Sequence, residues 1–339
     1  MKFNKNITKS KLRTETTKNF SGNLNEINIP ILREKNYYVI EDYQLDGDAP
    51  KQFIMVYSYQ PKSKIRRMKP KTWTPYIAKT AEKWYPHESV IEYAINRIGY
   101  CLELRMNEVK LLKINNQIRF LSQYFLNKDE MLYHGADICG EYLEDKQFAK
   151  KVADCQKTAR DFFTYEFVVE SIKSVFQKHS SQLISDLVKI LTFDAIVGNN
   201  DRHFYNWAVV TYKKRCPKKP FISPIYDTAR GLMWNESDQK IINLTMHHNF
   251  DQKINDYISN SRPRISIDAN KNANHFELIS FIKDQSSEFR DMINQIASDR
   301  NEAQVYEMLK KEIFPLFIEE RRKIILSILK KRFNEVRSV

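Results

Sequence analysis

The hydrophobic pattern changes period near the middle of the chain, and this limits the fold more than any other feature. Up to about residue 121, apolar residues alternate or run in short blocks. The spacing predicts strands over Tyr37–Ile40, Phe53–Tyr59, Trp73–Lys79, Leu102–Met106, Val109–Ile114 and Ile118–Leu121. Asp46-Gly47-Asp48 and Asn115-Asn116 read as turns between them. One helix interrupts the strands: it opens at Pro86, carries Ile91, Ala94, Ile95 and Ile98 at helical spacing, and is expected to stop at Gly99. The second half has helical spacing. Asp161 to Phe176 reads as one helix, and Ser181 to Val197 as another with Gly198 as its stop signal. Two short strands follow, Trp207–Tyr212 and Phe221–Tyr226, joined by a basic turn. From about Phe276 the pattern is helical again, with Phe314, Phe317, Ile324, Ile325 and Ile328 as core candidates. A strand-rich half before a helical half predicts an α+β fold of two lobes, with the ligand in the cleft between them. The expected divisions are a polar, basic and flexible arm over 1–26, a β-rich lobe with one helix over 27–125, and a helical lobe over 126–339.

Composition removes several function classes. The chain has seven glycines in 339 residues, and none forms GxGxxG or GxxxxGK, so a Rossmann dinucleotide site and a Walker loop are disfavoured. Cys101, Cys139, Cys155 and Cys216 are far apart with no CxxC pair, which argues against a zinc site and a disulfide framework and suits a reducing compartment. No run approaches the roughly 18 apolar residues of a membrane span, and the segment before Ile27 does not read as a signal peptide. A soluble, cytoplasmic protein is expected. The net charge of +13 favours anionic partners. Nucleic acid as the main ligand is disfavoured, because no zinc finger, RRM-like aromatic signature or heptad zipper accompanies the charge.

The chemistry concentrates in Gly198-Asn199-Asn200-Asp201-Arg202-His203-Phe204-Tyr205-Asn206 and in Ser223-Pro224-Ile225-Tyr226-Asp227. If the two strands between these segments form an antiparallel hairpin, Asn206, before the first, lies beside Asp227, after the second. One amide oxygen and one carboxylate leave coordination positions open, which suits Mg²⁺ sharing its shell with water and substrate phosphates. Asp201 lies five positions before Asn206, on the loop after an apolar helix. A carboxylate to accept a hydroxyl proton, followed by an Asn and an Asp that hold metal, is the arrangement kinases use for phosphoryl transfer. Taken singly, each of these residues reads more readily as a turn cap; the pattern lies in their order.

The segment Phe193 to His203, with Asn206 and Pro224-Ile225-Tyr226-Asp227, resembles the C-terminal region of HipA-like serine/threonine kinases. Its Asp-Arg-His…Asn core is also similar to the catalytic loop of phosphatidylinositol 3- and 4-kinases. Phe120 to Phe125 and His134-Gly135-Ala136-Asp137 resemble the lobe-connecting region of shorter HipA-like kinases. The resemblance implies a protein-kinase-like fold and an ATP- and Mg²⁺-dependent enzyme acting on protein serine or threonine. In it Asp201 would be the catalytic base, Asn206 and Asp227 the Mg²⁺ ligands, and His203 a group near the transferring phosphoryl, where a histidine packed against the loop backbone is an equal reading. Lys79 matches the phosphate-contacting lysine. Glu92 is its ion-pair partner, with Glu88 one turn earlier as the competitor, since i and i+4 share a face. Arg202 is expected to pair with Asp194. The phosphate-covering loop is assigned to Ser58 to Arg67, where a solvated basic linker is an equal reading. Members often act as toxins held by a DNA-binding antitoxin, and some act on host proteins, so a protein substrate and an antitoxin or other regulatory protein are the implied partners. Full-length members carry an additional N-terminal module for which the segment here is expected to be too short. The alternatives are a lipid or small-molecule kinase, suggested by the Asp-Arg-His core and the basic charge, and an inactive nucleotide- or nucleic-acid-binding scaffold.

Overall fold

A computed structural model describes residues 11–41, 50–58, 64–213 and 218–339. The first lobe is a five-stranded antiparallel sheet, β1 (Tyr37–Ile40), β2 (Lys51–Val56), β3 (Thr74–Lys79), β4 (Val109–Ile114) and β5 (Gln117–Gln123), in the order β1-β2-β3-β5-β4. Strand alternation sorts its apolar residues by face. Tyr37, Val39, Ile54, Val56, Tyr76, Ala78 and Leu121 form one cluster, and Tyr38, Phe53, Met55 and Trp73 form the other with Ile77 packed on them. Lys79 therefore shares a face of β3 with Ile77. Helix α1 (His87–Cys101) lies against β4 and β5, burying Ile91, Ala94, Ile95 and Ile98.

The stretch Leu102–Met106, expected as a strand, is a turn and an extended segment. Glu103 has a left-handed φ of 57°, and only Met106 bridges, in parallel, to Ile225. Gly99 does not end α1, which runs on to Cys101. Glycine is required there for another reason: a Cβ would overlap the Met106 side chain as the chain doubles back.

The second half is helical around a small sheet of β6 (Glu130–His134), β7 (Ala208–Tyr212) and β8 (Phe221–Ile222), in the order β6-β7-β8. Helices α2 (Gly135–Tyr142), α3 (Lys146–Asp154), α4 (Gln156–Phe162) and α5 (Tyr165–Phe176) precede the central α6 (Ser180–Val197). The helix expected over Asp161 to Phe176 is broken, because Thr164 turns outward from the helical path and its hydroxyl accepts from the Phe167 N–H to cap α5. Helix α6 buries Leu183, Leu187, Ile190 and Leu191 on the expected face, and Gly198 ends it at φ 71°. Glycine is fixed there twice over: its backbone is left-handed, and an added Cβ would sit 2.8 Å from the Arg332 guanidinium carbon. Helices α7 (Asp238–Thr245), α8 (Phe250–Ser259), α9 (His275–Gln285), α10 (Ser287–Ile296), α11 (Asp299–Met308) and α12 (Glu319–Ser338) complete the lobe. Phe314, Phe317, Ile324, Ile325 and Ile328 are all buried.

One apolar core contains the buried residues of α1 together with those of α6, α9 and α12, so α1 packs into the helical lobe as well as on the sheet. The arm expected to be flexible is held down over its described part. Leu12 is buried in the sheet, and Ser21 Oγ lies 2.8 Å from His87 Nδ1. His87 Nε2 is 3.3 Å from Asp238 Oδ1, which accepts from Arg321 Nε at 2.8 Å. Burial, then Arg321, push the His87 pKa down to about 2, so the imidazole is neutral and buried, and Ser21 beside it is not an exposed nucleophile. Among the described residues no helix is long and apolar enough to cross a membrane.

Candidate active site

The site is built from the end of α6 outward. Asp194, in the last turn, is buried and must be paired. It accepts from Arg202 Nε and Nη2, both at 2.9 Å, and from Asn199 Nδ2 at 2.9 Å. Burial works against the Arg202 charge, but Asp194 holds its pKa above the ordinary value. The remaining arm of the guanidinium, Nη1, donates to the carbonyls of Asn206 at 2.9 Å and Tyr226 at 2.8 Å. One buried cation thus ties the catalytic-loop candidate to the residue before Asp227. Asn206 Nδ2 donates to the Asp201 carbonyl at 2.8 Å, which leaves the amide oxygen as the accepting end of the side chain.

The expected hairpin forms, with Val209 opposite Ile222 and Val210 opposite Phe221. Its second strand stops at Ile222 and not at Tyr226, because Pro224 has no N–H for the ladder and Ile225 turns to pair with the segment after α1. Ile225 donates to the Arg105 carbonyl at 2.8 Å, and its own carbonyl accepts from Asn107 at 3.1 Å. Asp227 follows in a left-handed conformation, φ 54°.

From the sheet lobe, Lys79 Nζ reaches Glu92 Oε1 at 2.9 Å and Asp227 Oδ1 at 3.0 Å. The second contact joins the two lobes across 148 residues of chain. Glu88, the competitor, is committed elsewhere: its Oε2 accepts from the Lys83 and Trp84 N–H groups at 3.1 and 3.2 Å. One ammonium shared by two carboxylates leaves one negative charge in excess, and burial decides where it is relieved. Glu92 is 6% exposed and its pKa is pushed up to about 7, by burial first and by Asp227 beside it. Asp227 is 43% exposed and is held down at about 2 by Lys79. Burial opposes the Lys79 charge, but Asp227 and Glu92 raise its pKa above the usual lysine range. The group that takes up a proton is therefore Glu92.

Asp201 carries two arginines. Arg230 Nε is 2.9 Å from Oδ2 and Arg264 Nη2 is 2.5 Å from Oδ1. His203 stands beside it with Nδ1 accepting from the Tyr205 N–H at 3.2 Å. Burial lowers its pKa against the pull of Asp201 and Asp227. The neutral ring therefore carries its proton on Nε2.

The structure thus brings Lys79, Glu92, Asp201, His203, Asn206 and Asp227 to one cleft. The family model of the HipA-like C-terminal domain matches residues 49–315. The chain belongs to the HipA-like family. Its fold is similar to that of the Helicobacter pylori proinflammatory kinase CtkA, with TM-score 0.68 and 14% identity over 91% of this chain and 98% of that one. This likeness shows the two-lobed kinase-like fold. The HipA of Shewanella oneidensis MR-1, solved with HipB and its operator DNA, aligns with TM-score 0.45 and 14% identity over 79% of this chain and 61% of that one. No curated protein matches at a significant level.

In this HipA-like chain, sequence reasoning missed Arg230 and Arg264. Arg230 lies three residues after Asp227, within reach of the motif, but no spacing rule singles it out. Arg264 lies 63 residues beyond Asp201 in a segment without a motif, held where Arg160 donates to the Pro263 carbonyl and the Ser266 carbonyl accepts from the Tyr165 N–H. Lys51, opposite Lys79 on β2, also acts on Asp227. Of the Ser58 to Arg67 loop, residues 59–63 lie outside the described residues, and Arg66 is tied back to Thr72 and Trp73.

Proposed function

We propose that the protein is an ATP- and Mg²⁺-dependent kinase that transfers the γ-phosphate to a serine or threonine hydroxyl of another protein. The carrying observation is the Lys79–Asp227 contact across the lobes, at 3.0 Å, beside the loop that holds Asp201 and Asn206. A cationic group from the sheet lobe and two oxygen donors from the helical lobe suit a polyphosphate with its metal. Asn206 and Asp227 fit a hard divalent ion that takes its other ligands from water and phosphate. Among the described residues no three His, Cys, Asp or Glu side chains form a protein cage that would compete for it. When bound, the ion supplies charge neutralisation across the phosphates.

The chain's own residues have distinct tasks. Lys79, oriented by Glu92, contacts phosphate oxygens. Asp201 orients the acceptor hydroxyl and takes its proton. His203 donates from Nε2 toward the negative charge that develops on the transferring group. Arg202 keeps Asn206 and Asp227 in register. The proposed partners are a protein substrate and a regulatory protein of antitoxin type, and the proposed compartment is the cytoplasm.

The test is transfer of labelled γ-phosphate to mixed protein acceptors and, separately, to mixed lipids. Asp201→Asn should lose about 10²-fold or more of the rate, the usual size of general-base help. Unchanged transfer by that variant removes Asp201 from its role, and label confined to the lipid fraction overturns the protein-kinase reading.

A further inference from the structure

Two cations converge on one carboxylate at the acceptor end of the cleft. Arg264 and Arg230 occupy both oxygens of Asp201 and leave a net positive charge where a hydroxyl substrate must enter. They come from separate elements, the segment between α8 and α9 and the loop after β8. Neither is spent on Asp201 alone. Arg264 keeps Nε buried and unpartnered among the described residues, a cost that a ligand oxygen would relieve. Arg230 is 35% exposed, and its guanidinium lies over the Trp234 ring at 5.5 Å, which steadies its plane. The nucleotide end is separately served. Lys79 and Lys51 act on Asp227, and the salt bridges of the two arginines run to Asp201.

From this geometry we propose that Arg230 and Arg264 form an acceptor-side anion site that recognises an acidic side chain next to the hydroxyl to be phosphorylated. The inference rests on the kinase reading above and names the substrate class of that site. The planar forks that now hold Asp201 match a carboxylate bidentately. An acidic flank on the acceptor competes with Asp201 for them, so the substrate that fits also loosens the base from its two partners. A neutral flank leaves Asp201 clamped.

The test is a positional-scanning library of serine and threonine peptides with Mg-ATP, using the full chain. Alanine, glutamate, phosphoserine or lysine is placed in turn at each position around the acceptor. The wild type should prefer glutamate over alanine at one or two positions by roughly tenfold in kcat/KM, the size of one charge-assisted contact. Phosphoserine should be accepted at the same positions. Arg264→Gln and Arg230→Gln should each lose most of that preference, chiefly through KM for the acidic peptide, and Arg264→Glu should turn it toward lysine. The preference is a ratio within one variant, so partial misfolding does not imitate the effect, and either arginine can serve if the other variant is poorly folded. Equal use of all flanks by the wild type, or unchanged preference in the variants, overturns this inference and leaves the kinase reading standing. So does a raised KM for ATP with the preference intact, which would give the arginines to the nucleotide. No transfer to any peptide by the wild type overturns the protein-kinase reading and this inference with it.

Discussion

Replacing Arg202 by leucine would leave Asp194 buried without its charge partner and free the two carbonyls that Arg202 ties together. Breaking a buried pair from one side costs about 3–5 kcal/mol. The variant should therefore show a loss of that order in urea unfolding, together with loss of transfer. A change below about 1 kcal/mol, the scale of an exposed pair, would mean that the site does not depend on this anchor. Glu92 gives a prediction with a sign. Its pKa is raised to about 7, above the ordinary 4.5, so between those values the folded state holds more protons than the unfolded one. Stability through this group is then present below about pH 4.5 and is lost as pH rises through 7. Glu92→Gln should remove that loss, so the wild type's advantage over the variant shrinks between pH 5 and pH 7.5 in matched urea titrations. A growing advantage contradicts the assignment of the proton to Glu92. Asp227 runs the other way: its depressed pKa contributes stability above the unfolded carboxylate range that is lost as pH falls toward 2. Legibility at this scale followed chain distance. Asp201, Asn206 and Asp227 lie within one stretch of α6, loop and hairpin, where spacing carries geometry. Arg264 reaches the same carboxylate from a remote segment, and no local rule encodes such a contact.

Elements were readable where a residue type has one backbone use, and were misread where packing overrides it. Gly198 ends α6 as expected, because the left-handed turn there favours glycine. Gly99 reads the same way in sequence but serves close packing against Met106 inside α1. The apolar spacing of Leu102–Met106 suits a strand, yet Leu102, Leu104 and Met106 are buried without a ladder, since the segment packs onto the hairpin end near Ile225. Apolar spacing runs through Phe162 to Thr164 without interruption, and only the hydroxyl of Thr164 marks the break. Thr164→Ala removes that cap and should cost about 1 kcal/mol in urea unfolding. If stability is unchanged, the start of α5 is set by packing of Tyr165 and Val168 instead.

At the scale of the whole molecule, the two-lobed division follows from the change of hydrophobic period, but the cores do not divide at the same place. Helix α1 follows β3 in the chain, yet its buried residues join the core of α6 and α12. Arg97 fastens it further through two contacts to Glu312, at 2.9 and 3.1 Å. Sequence order could not reveal this, because both faces of α1 are apolar enough to pack. The consequence is a ranking of local stability. Amides of α1 should exchange with solvent as slowly as those of α6, and more slowly than those of β1 and β2, whose clusters are small. Equal exchange of α1 and the β1–β2 pair would place the helix with the sheet. Glu92 thereby stands on a helix that shares the core of the helical lobe, and Lys79 is the sheet lobe's reach toward it.

The metal–nucleotide site proposed at Lys79, Asn206 and Asp227 stands or falls by calorimetric titration of a non-hydrolysable ATP analogue, with and without Mg²⁺, into the wild type and Asp227→Asn. Mg²⁺ should tighten binding to the wild type, and the variant should lose that gain while remaining folded. Binding that ignores Mg²⁺ in the wild type, or a gain that survives intact in Asp227→Asn, would contradict a metal–nucleotide site at this cleft.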